Sequence, residues 1–259
     1  MRAASRFVVC LFAGAGLLVA LRSAELRGQE QPAAQSHPPV SRNVILLDPA
    51  HGGTDPGADL GNKVAEKDLT LALATKLRTA LAAQDFTVVL TRDSDATTVT
   101  SDQRAQTANH SHALACVSLH ATSSGSGVHV YTSALQPASS ASPENADVVP
   151  PMRWENLQEH FVTQSTQLAA DLKSSFTAGS LPAEVRTATV PPIDNLTCPA
   201  VAIEFAPIHN ISMPGKTADD PSYQSAAVNA ITAALDKWRA DTAPPQQPQP
   251  ATPAAKDAQ

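Results

Sequence analysis

Short strand-like runs alternate with segments of helical periodicity along this 259-residue chain, and this alternation constrains the fold more than any other feature. Apolar or alternating runs bounded by turn residues are typical of strands. Such runs occupy 44–47, 87–91, 114–119, 127–132 and 199–203. Helical spacing or composition marks 69–81, 101–112, 155–173 and 227–238. The alternation predicts a single three-layer α/β domain, with a mostly parallel or mixed central sheet flanked by helices.

The composition excludes several classes of protein. The formal net charge of −6 argues against a nucleic-acid-binding protein, which normally carries a basic domain or stripe. A hydrophobic share of 42% is enough for a buried core, so a wholly disordered chain is excluded. Three cysteines are too few for a small domain built on a disulfide framework.

The two ends of the chain differ from its middle. An uncharged, mostly apolar run follows Arg2 and Arg6 and ends at Leu21, which is short for a membrane span and typical of a secretory signal segment. We therefore expect an exported protein, located in the periplasm or cell envelope. The expected divisions are a signal peptide or N-terminal anchor (1–24), a polar linker (25–41), the folded catalytic domain (42–240) and a disordered Pro/Gln/Ala-rich tail (241–259). Whether the first segment is cleaved stays open.

Side chains suited to metal binding or proton transfer lie at strand ends. His51 is in a glycine-rich loop after the first expected strand, His120 follows the third, and Glu204 follows the last. Sites in such sheets form at the carboxyl ends of strands, so these side chains are expected near one another. Glu66 lies at the first turn of a helix, where a carboxylate suits the helix dipole whether or not it binds a ligand. Two histidines and one carboxylate are a ligand set of catalytic zinc.

A set of motifs in family order along 43–239 resembles the zinc-dependent N-acetylmuramoyl-L-alanine amidases with the type-3 amidase catalytic domain. The matching pieces are ILLDPAHGGTDPGA (45–58), GNKVAEKDLTL (61–71), TRD (91–93), Arg104, Ala108-Asn109, SLHA (118–121), GVHVY (127–131) and PAVAIE (199–204). Together they span nearly all of the expected domain, so the resemblance extends to its fold and activity.

The resemblance implies a cell-wall hydrolase. His51, Glu66 and His120 would be the ligands of one Zn²⁺, and Glu204 would be the catalytic carboxylate that takes a proton from water and passes it to the leaving amine. The substrate would be peptidoglycan, cut at the amide between the lactyl group of N-acetylmuramic acid and L-alanine of the stem peptide. Stem-peptide preference, an activator protein and the oligomeric state stay undefined, with a monomer as the expectation.

Two other functions remain open. The ligand set could serve a zinc peptidase that acts on another bond of the stem peptide. The domain could also be a non-catalytic peptidoglycan-binding or regulatory module on the same fold. The complete set of His51, Glu66, His120 and Glu204 argues against the module, because a binder needs neither zinc nor a base.

The chain departs from the family pattern near the expected site. Ala50 stands where the family usually has the first glycine of DPGHGG, and alanine fits if its φ is negative. Thr122 stands where an asparagine often occurs. The segment EFAPIHN (204–210) differs from the family's ExGFxSN and would line the cleft. These departures leave the metal ligands intact and put substrate fit and turnover in question.

Other polar residues near the motifs have ordinary interpretations as well. Asp48 and Asp55 either orient His51 or form Asx turns. Arg92 and Arg104 are expected to form structural ion pairs rather than substrate contacts. The remaining histidines are expected to be surface or core residues, with His209 the one that could reach the cleft. They are His110, His112, His129, His160 and His209.

Two further features have alternative interpretations. Export permits a disulfide between Cys116 and Cys198, near the starts of the strands that lead to His120 and Glu204, and two buried free thiols are the preferred alternative. The proline- and serine-rich segment within 133–160 is expected to be a surface loop. The alternative is an autoinhibitory insertion that places a glutamate on zinc, for which the candidates are Glu144, Glu155 and Glu159.

Overall fold

A computed structural model describes residues 41–61, 63–138, 154–209 and 214–244. The strands are β1 (Ser41–Pro49), β2 (Thr87–Leu90), β3 (Ala113–Ala121), β4 (Val128–Ser133), β5 (Ala183–Ala188), β6 (Ala200–Phe205), β7 (Ile208–His209) and β8 (Pro214–Lys216). The α-helices are α1 (Glu66–Ala82), α2 (Ser101–Ser111), α3 (Val162–Ala178) and α4 (Pro221–Asp241). Short 3₁₀ segments cover Trp154–His160 and Ile193–Asn195.

The central sheet has six strands in the order β2-β1-β3-β6-β4-β5. Strands β2, β1, β3 and β6 are parallel, and β4 pairs with β6 in the opposite direction. Strand β5 is parallel to β4 at the edge. The short strands β7 and β8 form a separate pair. The predicted three-layer α/β fold is confirmed, and its sheet is mixed.

Helices cover the two faces of the sheet unequally. The larger core joins α1, α3 and α4 to one face, through side chains such as Ile45 and Leu47. Leu46, between them, belongs to the smaller core on the opposite face, with Ala105 of α2 and Ile193. This alternation follows from the two-residue period of a strand. It also assigns faces to polar residues, because a residue flanked by two larger-core residues points to the α2 face.

The third predicted helix, over 155–173, is wrong at its start. The chain forms a 3₁₀ segment first and begins α3 only at Val162, because Asn156 is non-helical, with φ −130° and ψ 26°. The buried Gln158 side chain donates to the carbonyls of Leu196 and Cys198, at 2.9 and 3.1 Å. The segment is thus tied to the chain that enters β6.

The last predicted strand, 199–203, is also shifted. It runs over Ala200–Phe205, so Glu204 lies inside β6, and His120 likewise lies inside β3 rather than beyond it. Strand β5 was not predicted.

Cys116 and Cys198 form a disulfide, with their Cα atoms 6.1 Å apart. The interpretation as two free thiols is therefore wrong. The Cys116 amide donates to the Pro199 carbonyl at 2.9 Å, and Cys116 is the register partner of Ala200. Pairing of β3 with β6 thus brings the two cysteines together.

Several expectations concern residues outside the described ranges. These include the signal segment 1–24, nearly all of the linker and tail, Glu144 and Asn210. Strand β1 begins at Ser41, the last residue assigned to the linker, and α4 ends at Asp241. Among the described helices, none combines the length and apolar character needed to cross a bilayer.

Candidate metal centre and active site

Two buried arginines hold the loop that carries His51. The Arg104 guanidinium pairs with the Asp48 carboxylate at 2.5 Å and donates to the carbonyls of Pro49 (2.8 Å) and His51 (2.6 Å). Arg92 donates to the same Pro49 carbonyl at 2.9 Å and to the Ala50 carbonyl at 3.0 Å. Arg104 thus forms the expected structural ion pair, whereas Arg92 donates to backbone carbonyls and forms no ion pair within the described part of the chain. The Asp48 carboxylate contacts Arg104 and Ser118 rather than His51, so the structure does not bear out the interpretation in which Asp48 orients that ring.

The backbone of His51 lies in the left-handed region, with φ 61°. Ala50 has no positive φ, so alanine replaces the family's glycine there without backbone strain of that kind.

The His51 ring is fixed from both sides. Its Nδ1 lies 2.8 Å from Asp55 Oδ2, and its Nε2 lies 3.1 Å from Glu66 Oε2. Asp55 is therefore the residue that orients His51. Its other carboxylate oxygen also accepts from the Gly57 amide at 3.1 Å, so the expected Asx turn is present as well.

Glu66 lies between the two histidines. Its Oε1 lies 3.1 Å from His120 Nδ1 and accepts a hydrogen bond from the Ala121 amide at 3.0 Å. Its Oε2 accepts from the Ala58 amide at 2.9 Å. Burial acts to raise the pKa of Glu66, but the hydrogen bonds from His120 and the two amides outweigh it and hold that pKa below its ordinary value. The carboxylate is thus kept ionised and in one orientation.

Gly57 makes this close approach possible. A Cβ atom at Gly57 would lie 2.6 Å from His51 Cδ2 and 2.7 Å from Glu66 Oε2, and the residue has φ +66°. Any side chain there would push the two groups apart.

One ligand atom each from His51, Glu66 and His120 lies within 4.8 Å of the others. Two imidazoles and one carboxylate suit a divalent metal such as zinc, whose ligand atoms lie about 3.4 Å apart in a tetrahedral site with bonds of about 2.1 Å. The distance of 3.1 Å from each histidine nitrogen to a Glu66 oxygen is close to this spacing. Both histidine side chains are partly exposed (26% and 30%), so a substrate group can approach from solvent.

Glu204 stands beside this cluster in a row of register partners that crosses four strands. From the sheet edge inward the row is Glu184 (β5), His129 (β4), Glu204 (β6) and His120 (β3). The neighbours of His120, His129 and Glu204 along their strands belong to the larger core, so these three side chains point to the α2 face. His129 Nδ1 lies 2.9 Å from Glu204 Oε1. A carboxylate therefore stands next to the candidate metal ligands and is hydrogen-bonded to a histidine.

Sequence interpretation missed His129, which was expected to be an ordinary surface or core residue. It is buried, but it contacts Glu204 and lies 3.3 Å from Glu184 through Nε2. The available signal was a lone histidine on the polar face of the alternating strand 127–132. The other four histidines, His209 included, are exposed.

Comparison with known proteins identifies the family of this chain. The model of the N-acetylmuramoyl-L-alanine amidase family matches residues 45–237. The chain is 38% identical over 95 residues to the germination-specific N-acetylmuramoyl-L-alanine amidase of Bacillus subtilis (strain 168), covering 32% of this chain and 40% of that protein. It is 34% identical over 132 residues to the endolysin of Bacillus phage SPP1, covering 50% of this chain and 48% of that protein. The chain thus spans less than half the length of these two curated relatives.

A solved structure has the same fold. It is the catalytic domain of CwlV, an N-acetylmuramoyl-L-alanine amidase from Bacillus (Paenibacillus) polymyxa var. colistinus. The match has a TM-score of 0.56 and 25% identity, and it covers 76% of this chain and 97% of that one.

Proposed function

Because the chain belongs to the N-acetylmuramoyl-L-alanine amidase family, we propose that it hydrolyses the amide between the lactyl group of N-acetylmuramic acid and L-alanine in peptidoglycan. The observation that carries the proposal is the His51–Glu66–His120 cluster with Glu204 as the register partner of His120. A ligand set and a separate carboxylate are the two parts that metal-assisted amide hydrolysis requires.

The cofactor in this proposal is Zn²⁺, held by His51, Glu66 and His120. When bound, zinc polarises the substrate carbonyl and lowers the pKa of a coordinated water to about 7. Asp55 fixes the His51 ring, and the amides of Ala58 and Ala121 fix Glu66, so the ligand atoms need little rearrangement. The proposal is supported by this donor set and its spacing.

Glu204 moves the proton. Its carboxylate takes a proton from the water that attacks the lactyl carbonyl carbon, and it then delivers a proton to the nitrogen of L-alanine as the carbon–nitrogen bond breaks. The products are a glycan with a free lactyl carboxylate and a peptide with a free L-alanine amine. Partial exposure of Glu204, whose side chain is 31% accessible, suits a group that must meet a large substrate.

The proposal includes an exported location, in the periplasm or cell envelope. The apolar segment that ends at Leu21 supports it, and so does the Cys116–Cys198 disulfide, since disulfides persist in oxidising compartments. Peptidoglycan lies outside the cytoplasmic membrane, so substrate and location agree.

Product analysis tests the proposal. Purified protein is incubated with peptidoglycan, with zinc, after chelation and after zinc is restored, and the soluble products are identified by mass spectrometry. We expect peptides with a free L-alanine amine and glycans with an intact lactyl group, only when zinc is present. Cleavage at another stem-peptide bond would show the peptidase, and binding without cleavage would show the non-catalytic module.

A further inference from the structure

We propose that His129 is a positioning residue for Glu204, and that Glu184 in turn anchors His129 from the sheet edge. This inference rests on the proposed role of Glu204 and adds to it a side chain that keeps the carboxylate in the orientation needed for proton transfer.

The sheet topology creates the contact. Strand β4 runs against β6, so His129 near the start of β4 is the register partner of Glu204 near the end of β6. Strand β5 runs with β4, so Glu184 is the partner of His129 on the other side. The imidazole therefore lies between two carboxylates on neighbouring strands, with Nδ1 2.9 Å from Glu204 and Nε2 3.3 Å from Glu184.

The contacts are directional. An ionised carboxylate only accepts hydrogen bonds, so His129 Nδ1 is the donor to Glu204 Oε1 at 2.9 Å. The Tyr131 hydroxyl donates to the same oxygen at 3.5 Å. Within the described part of the chain, both hydrogen bonds of the Glu204 side chain go to Oε1, which leaves Oε2 for the transferred proton.

Burial makes His129 the rigid member of the row. Its side chain is 6% exposed, against 31% for Glu204 and 52% for Glu184. The partly exposed Glu204 side chain would otherwise sample several rotamers. A fixed hydrogen-bond donor limits this freedom, and even a small displacement of a catalytic group lowers the reaction rate.

Two variants of His129 separate positioning from packing. Asparagine has its side-chain amide near the place of Nδ1, so His129→Asn keeps a donor toward Glu204. Glutamine reaches the place of Nε2 and is closer to histidine in volume, so His129→Gln preserves packing but not that donor. His110→Asn is the control, because His110 is exposed on α2.

The kinetic test measures kcat and KM of the zinc-loaded full chain on a soluble N-acetylmuramoyl-L-alanyl peptide. We expect kcat to fall about tenfold or more in His129→Gln with KM little changed, and to stay within about threefold of wild type in His129→Asn. Melting temperatures should show the opposite order, because asparagine leaves more empty volume. Wild-type kcat in His129→Gln, or losses in both variants that follow their melting temperatures, would overturn the proposal.

Two further measurements keep the inference testable. If neither His129 variant folds, Glu184→Ala is measured beside Arg186→Ala, because Glu184 also pairs with Arg186, which contacts the Tyr131 hydroxyl. A kcat lower in Glu184→Ala than in Arg186→Ala, at an unchanged melting temperature, supports the proposal, and a kcat that is equal in the two variants overturns it. Crystal structures of the folded variants report the Glu204 orientation independently of activity. Glu204 displaced in His129→Gln but not in His129→Asn supports positioning even if the wild-type chain does not cleave the peptide, which would count only against the proposed function. Glu204 undisturbed in His129→Gln overturns positioning.

Discussion

Cys116, inside β3, and Cys198, two residues before β6, are joined where the pairing of these neighbouring strands begins, and the far ends of the strands carry His120 and Glu204. Strands β3 and β6 stay in parallel register from Cys116 and Ala200 to Ala121 and Phe205. The disulfide therefore fixes one end of this strand pair, and the candidate site uses the other.

Reducing this disulfide should destabilise the domain. The bond closes a loop with a sequence separation of 82 residues, and breaking such a link lowers the free energy of unfolding by about 2–4 kcal/mol. Urea unfolding with and without reductant measures the change. The double variant Cys116→Ser/Cys198→Ser is the control and should not respond to reductant. An unchanged midpoint for the reduced wild-type protein would contradict the prediction.

His120→Ala should remove most of the bound zinc and all activity. The change deletes one of three proposed ligands and leaves Glu66 with a single histidine partner. Metal analysis of the purified variant, beside His110→Ala as a surface control, tests this. Stoichiometric zinc in His120→Ala would rule out the proposed ligand set.

Gly57→Ala should disrupt the metal centre, whereas Gly61→Ala should not. Both glycines have positive φ, +66° and +84°, so both variants incur a similar backbone cost, about 1–2 kcal/mol. Only at Gly57 would the new Cβ collide with His51 and Glu66, because at Gly61 no described residue beyond the chain neighbours lies within 4 Å of that position. Zinc content is the measurement. Equal zinc content in the two variants would show that the close approach at Gly57 does not matter.

The local sequence predicts the metal-ligand cluster better than it predicts the surroundings of Glu204. His51 follows β1, His120 lies near the carboxyl end of β3 and Glu66 begins α1, so their convergence follows from the α/β pattern. The role of His129 depends on β4 running against β6 and on β5 as an edge strand, and such long-range pairing leaves no local periodicity. The preference for two free thiols over a Cys116–Cys198 disulfide is wrong for the same reason, since the bond requires β3 and β6 to be neighbours.

The N-terminus of α4 should make stability depend on pH. Asp220 caps this helix, accepting from the Ser222 amide at 2.8 Å. The Lys216 ammonium, together with the Ser222 hydroxyl and amide, holds the pKa of Asp220 well below its usual range. A carboxylate with a depressed folded-state pKa contributes stability above its unfolded pKa, about 3.9, and loses it as the pH falls further.

Melting temperatures of the wild type and Asp220→Asn, measured from neutral pH downward, check this. Asparagine keeps the cap but not the charge. The difference in melting temperature between the wild type and Asp220→Asn, with the wild type higher, should be constant above about pH 5 and shrink below about pH 4. A difference in melting temperature that does not shrink at lower pH would show that the charge of Asp220 is not its source.

The most direct test of the account is the rate of amide hydrolysis by Glu204→Gln at matched zinc occupancy. Glutamine keeps the size of the side chain but cannot take the proton from water. We expect zinc content and melting temperature near those of the wild type, and a rate lower by a factor on the order of 10²–10⁴. A rate within a few-fold of the wild type, at full zinc occupancy, would mean that another group carries the proton and would contradict the assignment of Glu204.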